Sequence, residues 1–193
     1  MLSRIQSIIE ESIATKQRLL NDDALLQTVA LWVEKAVSCY QNGGKILFCG
    51  NGGSAADAQH LSAELSGRFY RDREPLFAEA LHVNSSFITA VANDYSFEEV
   101  YARMTRAMGR PGDILVAIST SGNSSNILRA VTDAKKMGML CVGMTGASGG
   151  KLKDACDLLL NVPSSDTPRI QESHILLGHI FCELLEEAVF PQM

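Results

Sequence analysis

The first 42 residues carry the spacing of two amphipathic helices. Apolar side chains recur every three or four positions, which places them on one face of a helix. In the first helix they are Leu2, Ile5, Ile8, Ile9 and Ile13, and in the second Leu25, Val29, Leu31, Trp32, Val33, Ala36 and Val37. Asp22 or Asp23 is a suitable cap for the start of the second helix. The pattern predicts two packing helices.

From Lys45 the pattern changes to short apolar runs, each followed by turn residues and a helical stretch. The runs are 45–50, 77–83, 113–119, 139–146 and 157–162. Their nearly continuous apolar character favours burial on both faces, as in a parallel sheet. Alternating strands and helices predict an α/β fold. A last amphipathic helix is predicted from Arg169 to Val189.

Composition is consistent with one globular domain over residues 1–193. Of the 193 residues, 46% are apolar and 20% are charged, and no linker or repeat divides the chain. A chain of this length buries about 70% of the surface that its unfolded form exposes, so it needs no disulfide to fold. The five cysteines are scattered and never in CxxC spacing, which predicts unpaired thiols in a reducing compartment.

Charge and hydropathy exclude several classes of partner. The net charge of −5 disfavours non-specific attraction to nucleic acid or to an anionic membrane. No apolar run reaches the roughly 18 residues of a membrane span, and acidic residues near the N-terminus argue against a signal peptide. We therefore expect a cytoplasmic protein in which an anionic substrate is held by a local site.

The loop after the strand at 113–118 is rich in hydroxyl groups. Its sequence is STSGNS, with hydroxyls at Ser119, Thr120, Ser121 and Ser124 around Gly122, and a helix follows. Hydroxyls, free backbone N–H groups and the positive end of a helix dipole bind phosphate without a lysine. An ordinary capped turn is the alternative, because Ser and Asn are common at helix starts.

Two further polar segments lie near predicted strand and helix ends. Residues 51–54 (NGGS) follow the first strand, and their glycines allow close approach of a ligand to the backbone. The segment matches neither GxGxxG nor a P-loop, which disfavours a dinucleotide fold or a P-loop ATPase. Asn93 and Asp94 form a second predicted loop, which either contacts a sugar hydroxyl or caps the helix near Phe97.

Histidines and acids share helical faces in two places. His60 and Glu64 are one turn apart, as for a metal site or an acid/base pair, although an exposed ion pair has the same spacing. Gln171 and His179 lie about 80° apart around the last helix and can flank one groove. We expect His174 to be structural.

Several segments in the same order resemble the sugar isomerase (SIS) family, and within it the phosphoheptose isomerases. They include CGNGGSAADAQHLSAEL, GDILVAISTSGNSSNILRA and RIQESHILLGH. The resemblance implies a three-layer α/β/α fold with a five-stranded parallel sheet and an N-terminal helical arm. It also implies a homotetramer packed through residues 1–42, with active sites at subunit interfaces. The implied reaction converts D-sedoheptulose 7-phosphate to D-glycero-D-manno-heptose 7-phosphate, the first step towards nucleotide-activated heptose for lipopolysaccharide or another surface polysaccharide.

The resemblance also assigns roles to residues. It implies Glu64 and His179 as the catalytic pair and one zinc ion per subunit, with His60, Glu64, Gln171 and His179 as ligands. The implied substrate contacts are Asn51, Gly52, Gly53, Ser54, Glu64, Asn93, Asp94, Ser119, Thr120, Ser121, Ser124 and Gln171. A non-catalytic relative that binds the bacterial replication initiator is the alternative, but it lacks the equivalents of Glu64 and His179. Their presence here favours an enzyme.

Overall fold

A parallel five-stranded sheet forms the centre of the protein, which we describe from a computed structural model of residues 1–191. Its strands are β1 Ile46–Gly50, β2 Ala78–Ala80, β3 Ile114–Ile118, β4 Leu140–Thr145 and β5 Leu158–Asn161. They lie in the order β2-β1-β3-β4-β5. Ile46 of β1 pairs with Ala78 on one side and Ile114 on the other. Each predicted run contains one of these strands, so the predicted α/β fold is confirmed.

Helices flank the sheet and complete the predicted alternation. They are α1 Leu2–Leu20, α2 Asp23–Gln41, α3 Gly53–Ser66, α4 Ser85–Asp94, α5 Val100–Met108, α6 Ser125–Lys136, α7 Leu152–Ala155 and α8 Thr167–Val189. A 3-10 turn at Phe97–Glu99 leads into α5. Asp22 accepts a hydrogen bond from the Leu25 N–H and so caps α2, as predicted.

Alternate strand residues enter two separate cores. Ile46 and Phe48 pack with side chains of α2, α3 and α8, whereas Leu47 and Cys49 pack with side chains of α5 and α6. Both faces of the sheet are therefore covered by helices. This double burial is the physical reason why the strand sequences are apolar at successive positions.

The N-terminal helices differ in how they pack. Trp32 of α2 stacks on Phe181 of α8 with ring centroids 3.6 Å apart, so α2 is part of the main core. Thr15 and Leu19 of α1 are buried, but much of its apolar surface stays uncovered in the single chain. The exposed large apolar residues of α1 are Leu2, Ile5, Ile8, Ile9, Ile13 and Leu20.

The strand order creates a crevice between β1 and β3. The chain leaves β1 for the β2 side of the sheet and leaves β3 for the β4 side, so their C-terminal loops diverge. Ligands of open α/β sheets bind at such a switch point. The two predicted binding loops, 51–54 and 119–124, directly follow these strands.

All five cysteines are unpaired, as predicted, and four of them are buried. Burial raises the pKa of Cys141 and of Cys182 to about 12, so both are protonated at neutral pH. Among residues 1–191, no helix combines the length and the hydrophobicity that crossing a membrane requires.

Candidate functional site

The hydroxyl-rich loop starts directly after β3 and ends at the cap of α6. Ser119 Oγ lies 3.1 Å from Ser124 Oγ and 3.5 Å from Ser121 Oγ. Ser124 is the N-cap of α6, but its side chain makes no capping hydrogen bond. The Ile127 N–H donates to Asn126 Oδ1, so the N–H groups of Ser125 and Asn126, which precede the first helical hydrogen bond, are the ones that remain for a ligand. A cavity of about 150 Å³ opens beside Thr120 and Ser121.

Gly122 holds this loop against the loop that follows β4. Its φ of +66° suits glycine, and a Cβ there would lie only 2.1 Å from the carbonyl oxygen of Gly149. The Leu152 N–H donates to the Gly122 carbonyl at 3.0 Å. The glycines after β4 therefore serve to support the hydroxyl loop.

The loop after β1 is tied to the start of α6. Asn51 and Asn126 exchange two hydrogen bonds, each 2.9 Å long. Tyr101 donates its hydroxyl proton to the Gly50 carbonyl. The loops after β1 and β3 are thereby fixed beside each other. A cavity of about 330 Å³ borders Asn51 and Gly52.

Two histidines from different helices meet next to a carboxylate. His60 Nε2 on α3 lies 2.9 Å from His179 Nε2 on α8, and 3.4 Å from Glu64 Oε1. The His60 side chain is 47% exposed and that of Glu64 is 22% exposed, so solutes can reach the cluster. Glu64 contacts His60 rather than His179 in this chain. The predicted pair of Glu64 and His179 is therefore linked through His60.

Gln171 is bonded to a buried acid on α3, which sequence reasoning left without a role, and not directly to the two histidines or Glu64 in the described part of the chain. Gln171 Nε2 donates to Asp57 Oδ1 at 2.6 Å, and the Gln171 side chain packs over Gly53. Asp57 is 5% exposed and its Oδ2 has no partner. Burial raises the pKa of Asp57 to about 6, although Gln171 and His60 oppose this shift. The signal in the sequence was its position one turn before His60.

The donor set suits zinc in chemistry, and two of its interatomic distances lie near those of a zinc site. Two imidazole nitrogens, a carboxylate and an amide oxygen are ligands that Zn²⁺ accepts. A tetrahedral site with bonds of about 2.0 Å has edges of about 3.3 Å, and the two contacts of His60 Nε2 measure 2.9 and 3.4 Å. Among the described residues, however, no three His, Cys, Asp or Glu side chains are placed to hold a metal ion as they stand. A fit requires adjustment of these side chains.

A buried ion pair fixes the segment that follows α3. Glu186 accepts hydrogen bonds from the N–H groups of residues 69–71 and from Arg73 Nε. Arg73 in turn donates to the carbonyls of Glu64 and Leu65 at the end of α3. The Glu64 backbone is therefore anchored by two residues whose importance the sequence pattern did not reveal.

The sequence predicted a loop at Asn93 and Asp94, and this prediction is wrong. Both residues lie in the last turn of α4. The helix continues through the small residues Ala90 to Ala92, and the exposed polar pair at its end resembles a loop in sequence. Asn93 Nδ2 donates to Asp94 Oδ1 at 2.8 Å. Within the described part of one chain, neither side chain forms a hydrogen bond with any other predicted site residue.

His174 has the structural role expected of it. It is fully buried, and its Nε2 lies 3.1 Å from the Thr145 carbonyl oxygen. Burial lowers its pKa to about 4, so the ring is neutral and donates this hydrogen bond at neutral pH.

A parallel α/β fold with a hydroxyl-rich loop at its switch point is typical of domains that bind sugar phosphates. Comparison with known proteins identifies the family. The SIS domain family matches residues 6–146, and the chain belongs to that family. Within it the chain belongs with the phosphoheptose isomerases, as three relatives at 41–51% identity indicate. The predicted family and its aldose–ketose isomerase activity class are thereby confirmed.

The first of these relatives is the phosphoheptose isomerase of Aneurinibacillus thermoaerophilus, 51% identical over 186 residues that cover 96% of this chain and 94% of that protein. The structure of the Neisseria gonorrhoeae phosphoheptose isomerase matches with a TM-score of 0.90 and 44% identity. That of the Francisella tularensis phosphoheptose isomerase matches with a TM-score of 0.92 and 41% identity. Both matches cover 96% of this chain and 98% of the other.

Proposed function

We propose that this enzyme converts D-sedoheptulose 7-phosphate to D-glycero-D-manno-heptose 7-phosphate in the cytoplasm. The product would then enter the synthesis of nucleotide-activated heptose for lipopolysaccharide or another surface polysaccharide. The observation that carries the proposal is the meeting of His60 and Glu64 on α3 with His179 on α8. This cluster and the hydroxyl loop offer an acid/base centre and a phosphate site in one domain.

The phosphate end of the substrate would bind the loop after β3. The hydroxyls of Ser119, Thr120, Ser121 and Ser124 and the N–H groups of Ser125 and Asn126 would supply donors to a dianion without a lysine or an arginine. The sugar chain would then lie along residues 51–54. Asn93 and Asp94 are exposed at the end of α4, where they would act on the substrate of a neighbouring subunit.

The chemistry needs one base at carbon and one acid at oxygen. Glu64 would remove a proton from C1 of the ketose, which converts the C1–C2 unit to a cis-enediol. His179 would move protons between the oxygens at C1 and C2, and Glu64 would return the proton to C2. The C1 carbonyl forms as the C2 carbonyl is lost, so no oxidant is required.

His60, Glu64, Gln171 and His179 would hold a zinc ion. When bound, zinc would polarise the substrate oxygens as a Lewis acid. The Gln171 amide suits the role of a zinc ligand, because its nitrogen donates a hydrogen bond to Asp57 and its oxygen is left to coordinate the metal. Tight coordination of Glu64 weakens it as a base, so its two roles are separable by experiment.

The assembly would be a homotetramer with active sites where subunits meet. The uncovered apolar residues of α1 support this part of the proposal, since exposed apolar stripes of this kind mark interaction surfaces. Asn93 and Asp94, which within the described part of one chain form hydrogen bonds with no predicted site residue other than each other, also support it.

The decisive experiment measures isomerisation of sedoheptulose 7-phosphate by the purified protein, with and without added zinc. Glu64→Gln should lose at least about a hundredfold in kcat, the scale of a positioned acid or base, and should still bind substrate. The exposed Glu183→Gln on α8 is the matched control and should retain activity. Absence of turnover by the wild type in both conditions contradicts the proposal and favours the initiator-binding alternative.

A further inference from the structure

We propose that the contact between Leu61 and Gly178 is a positioning device, which sets the spacing of α3 and α8 and so brings His60 and His179 together. Leu61 directly follows His60, and Gly178 directly precedes His179. The two helices therefore touch at neighbouring points, once through this apolar contact and once through the imidazoles. The inference rests on the proposed function only for its effects on zinc binding and catalysis.

The contact leaves no room for a side chain at residue 178. A Cβ built on Gly178 would lie 2.6 Å from both methyl carbons of Leu61 and 3.1 Å from its Cγ. Apolar carbons pack at about 3.5 to 4.0 Å, so the clash requires a displacement of about 1 Å. Leu61 is fully buried between Ala58 and Leu65 in the main core, where a new rotamer would disturb its neighbours.

Helix propensity does not explain a glycine at this position. Gly178 lies in the interior of the 23-residue helix α8, where alanine favours the helical state. The missing Cβ instead allows α8 to approach α3 closely. The imidazole nitrogens are 2.9 Å apart, and a separation larger by 1 Å would break their contact.

The first test is Gly178→Ala. We expect the crystal structure of this variant to show His60 Nε2 and His179 Nε2 at least about 0.5 Å further apart than in the wild type. Calorimetric titration with zinc should show at least tenfold weaker binding. The kcat should fall by about tenfold to a hundredfold, the scale of a misplacement near 1 Å, while KM changes little.

A rescue experiment separates spacing from general damage. Leu61→Ala in the Gly178→Ala background removes the clash and should restore the nitrogen separation, and with it the zinc affinity and kcat. Leu65→Ala in the same background is the matched control, because Leu65 is equally buried on α3 whereas the three atoms nearest to a Cβ at residue 178 all belong to Leu61. It should restore none of these quantities.

The outcomes are distinct. If Leu61 only rotates in Gly178→Ala and the nitrogens stay 2.9 Å apart, the proposal is wrong. Equal rescue by Leu65→Ala also overturns it. If Gly178→Ala does not fold, the Leu61→Ala double variant must fold with the wild-type separation, and its failure overturns the proposal. A wild type without isomerase activity would refute the proposed function, whereas the nitrogen separation would still test the positioning contact.

Discussion

The Nε2 atoms of His60 and His179 lie 2.9 Å apart, although the residues are 119 positions apart in the chain. A neutral imidazole carries one N–H, so one ring must donate to the other or both must turn lone pairs towards a shared cation. The two Nε2 atoms therefore share either a proton or a metal ion. Both states suit an isomerase, which must move protons between neighbouring oxygens.

Substitution of the two histidines should separate metal binding from proton transfer. We expect both His60→Gln and His179→Gln to bind zinc at least tenfold more weakly, measured by calorimetry, because each replaces an imidazole nitrogen with a weaker amide ligand. At zinc concentrations that saturate each variant, His60→Gln should recover most of its kcat. His179→Gln should stay at least about a hundredfold slower, since the acid itself is missing. Equal recovery of both variants would argue against His179 as the acid.

Asp57 should destabilise the folded protein at neutral pH. Its folded pKa of about 6 exceeds its ordinary 3.8, so the unfolded chain loses this proton first as the pH rises. The resulting loss of stability develops between about pH 4 and 6 and reaches at most about 3 kcal/mol above that range. We expect Asp57→Asn to unfold at a higher temperature than the wild type at pH 7.5, and the difference to shrink towards pH 4.

Thermal unfolding at fixed protein concentration measures this effect, and the asparagine can still accept the Gln171 hydrogen bond. Exposed Asp23→Asn is a suitable control for the loss of one negative charge. A wild-type stability that matches or exceeds that of Asp57→Asn at pH 7.5 would show that the carboxylate has a partner the single chain lacks.

The pair of Glu186 and Arg73 should contribute to stability with the opposite pH dependence. Burial alone would raise the Glu186 pKa, but hydrogen bonds from the N–H groups of residues 69–71 and from Arg73 lower it overall. Its contribution is therefore complete above the ordinary carboxyl pKa of 4.5 and is lost as the pH falls through the lowered value. Glu186→Gln leaves Arg73 buried without its countercharge.

We expect Glu186→Gln to lower the unfolding free energy by about 3 to 5 kcal/mol at pH 7. Denaturant titration measures the loss. The adjacent Glu187→Gln removes a half-exposed carboxylate and should change stability by less than about 1 kcal/mol. Similar losses of unfolding free energy in the two variants would mean that the buried pair contributes no more to stability than an exposed one.

Local pattern was sufficient for the elements but not for the site. The five strands were predictable because both faces of the sheet are buried, so neighbouring strand residues such as Leu47 and Phe48 are both apolar. The neighbourhood of His60 and Glu64 was predictable because one helical turn fixes it. The meeting of His60 with His179 depends on how two helices pack, and the sequence carries no local signal for the clearance at Gly178.

The same limit explains the misplaced Asn93 and the unassigned Asp57. Two polar residues that follow an apolar helical stretch can form either the last turn of the helix or a loop, and the sequence does not distinguish the two. Asp57 looked like another polar residue on the face of His60, because burial by α8 is a tertiary property.

Gly122 should be essential for phosphate binding. An alanine there combines an unfavourable positive φ with a Cβ 2.1 Å from the Gly149 carbonyl oxygen, and that backbone atom cannot simply rotate away. We expect Gly122→Ala to raise the KM for the sugar phosphate at least tenfold. Gly112→Ala introduces a similar backbone strain, but its Cβ would have no atom within 4 Å, so this variant should leave KM unchanged. Equal KM values for the two variants would show that the backbone contact does not shape the loop.

The α1 helix should hold the subunits together. Ile9→Glu with Ile13→Glu places two charges on its uncovered apolar side, where burial in an interface would then be strongly unfavourable. We expect analytical ultracentrifugation to show the wild type as four copies and the double variant as smaller species. Activity should fall in parallel, because sites completed by a neighbouring subunit are lost on dissociation. Gln17→Glu, exposed elsewhere on α1, should leave both mass and rate unchanged. A double variant that dissociates yet keeps full kcat would show that each chain contains a complete site, and Asn93 and Asp94 would then have no role in substrate binding.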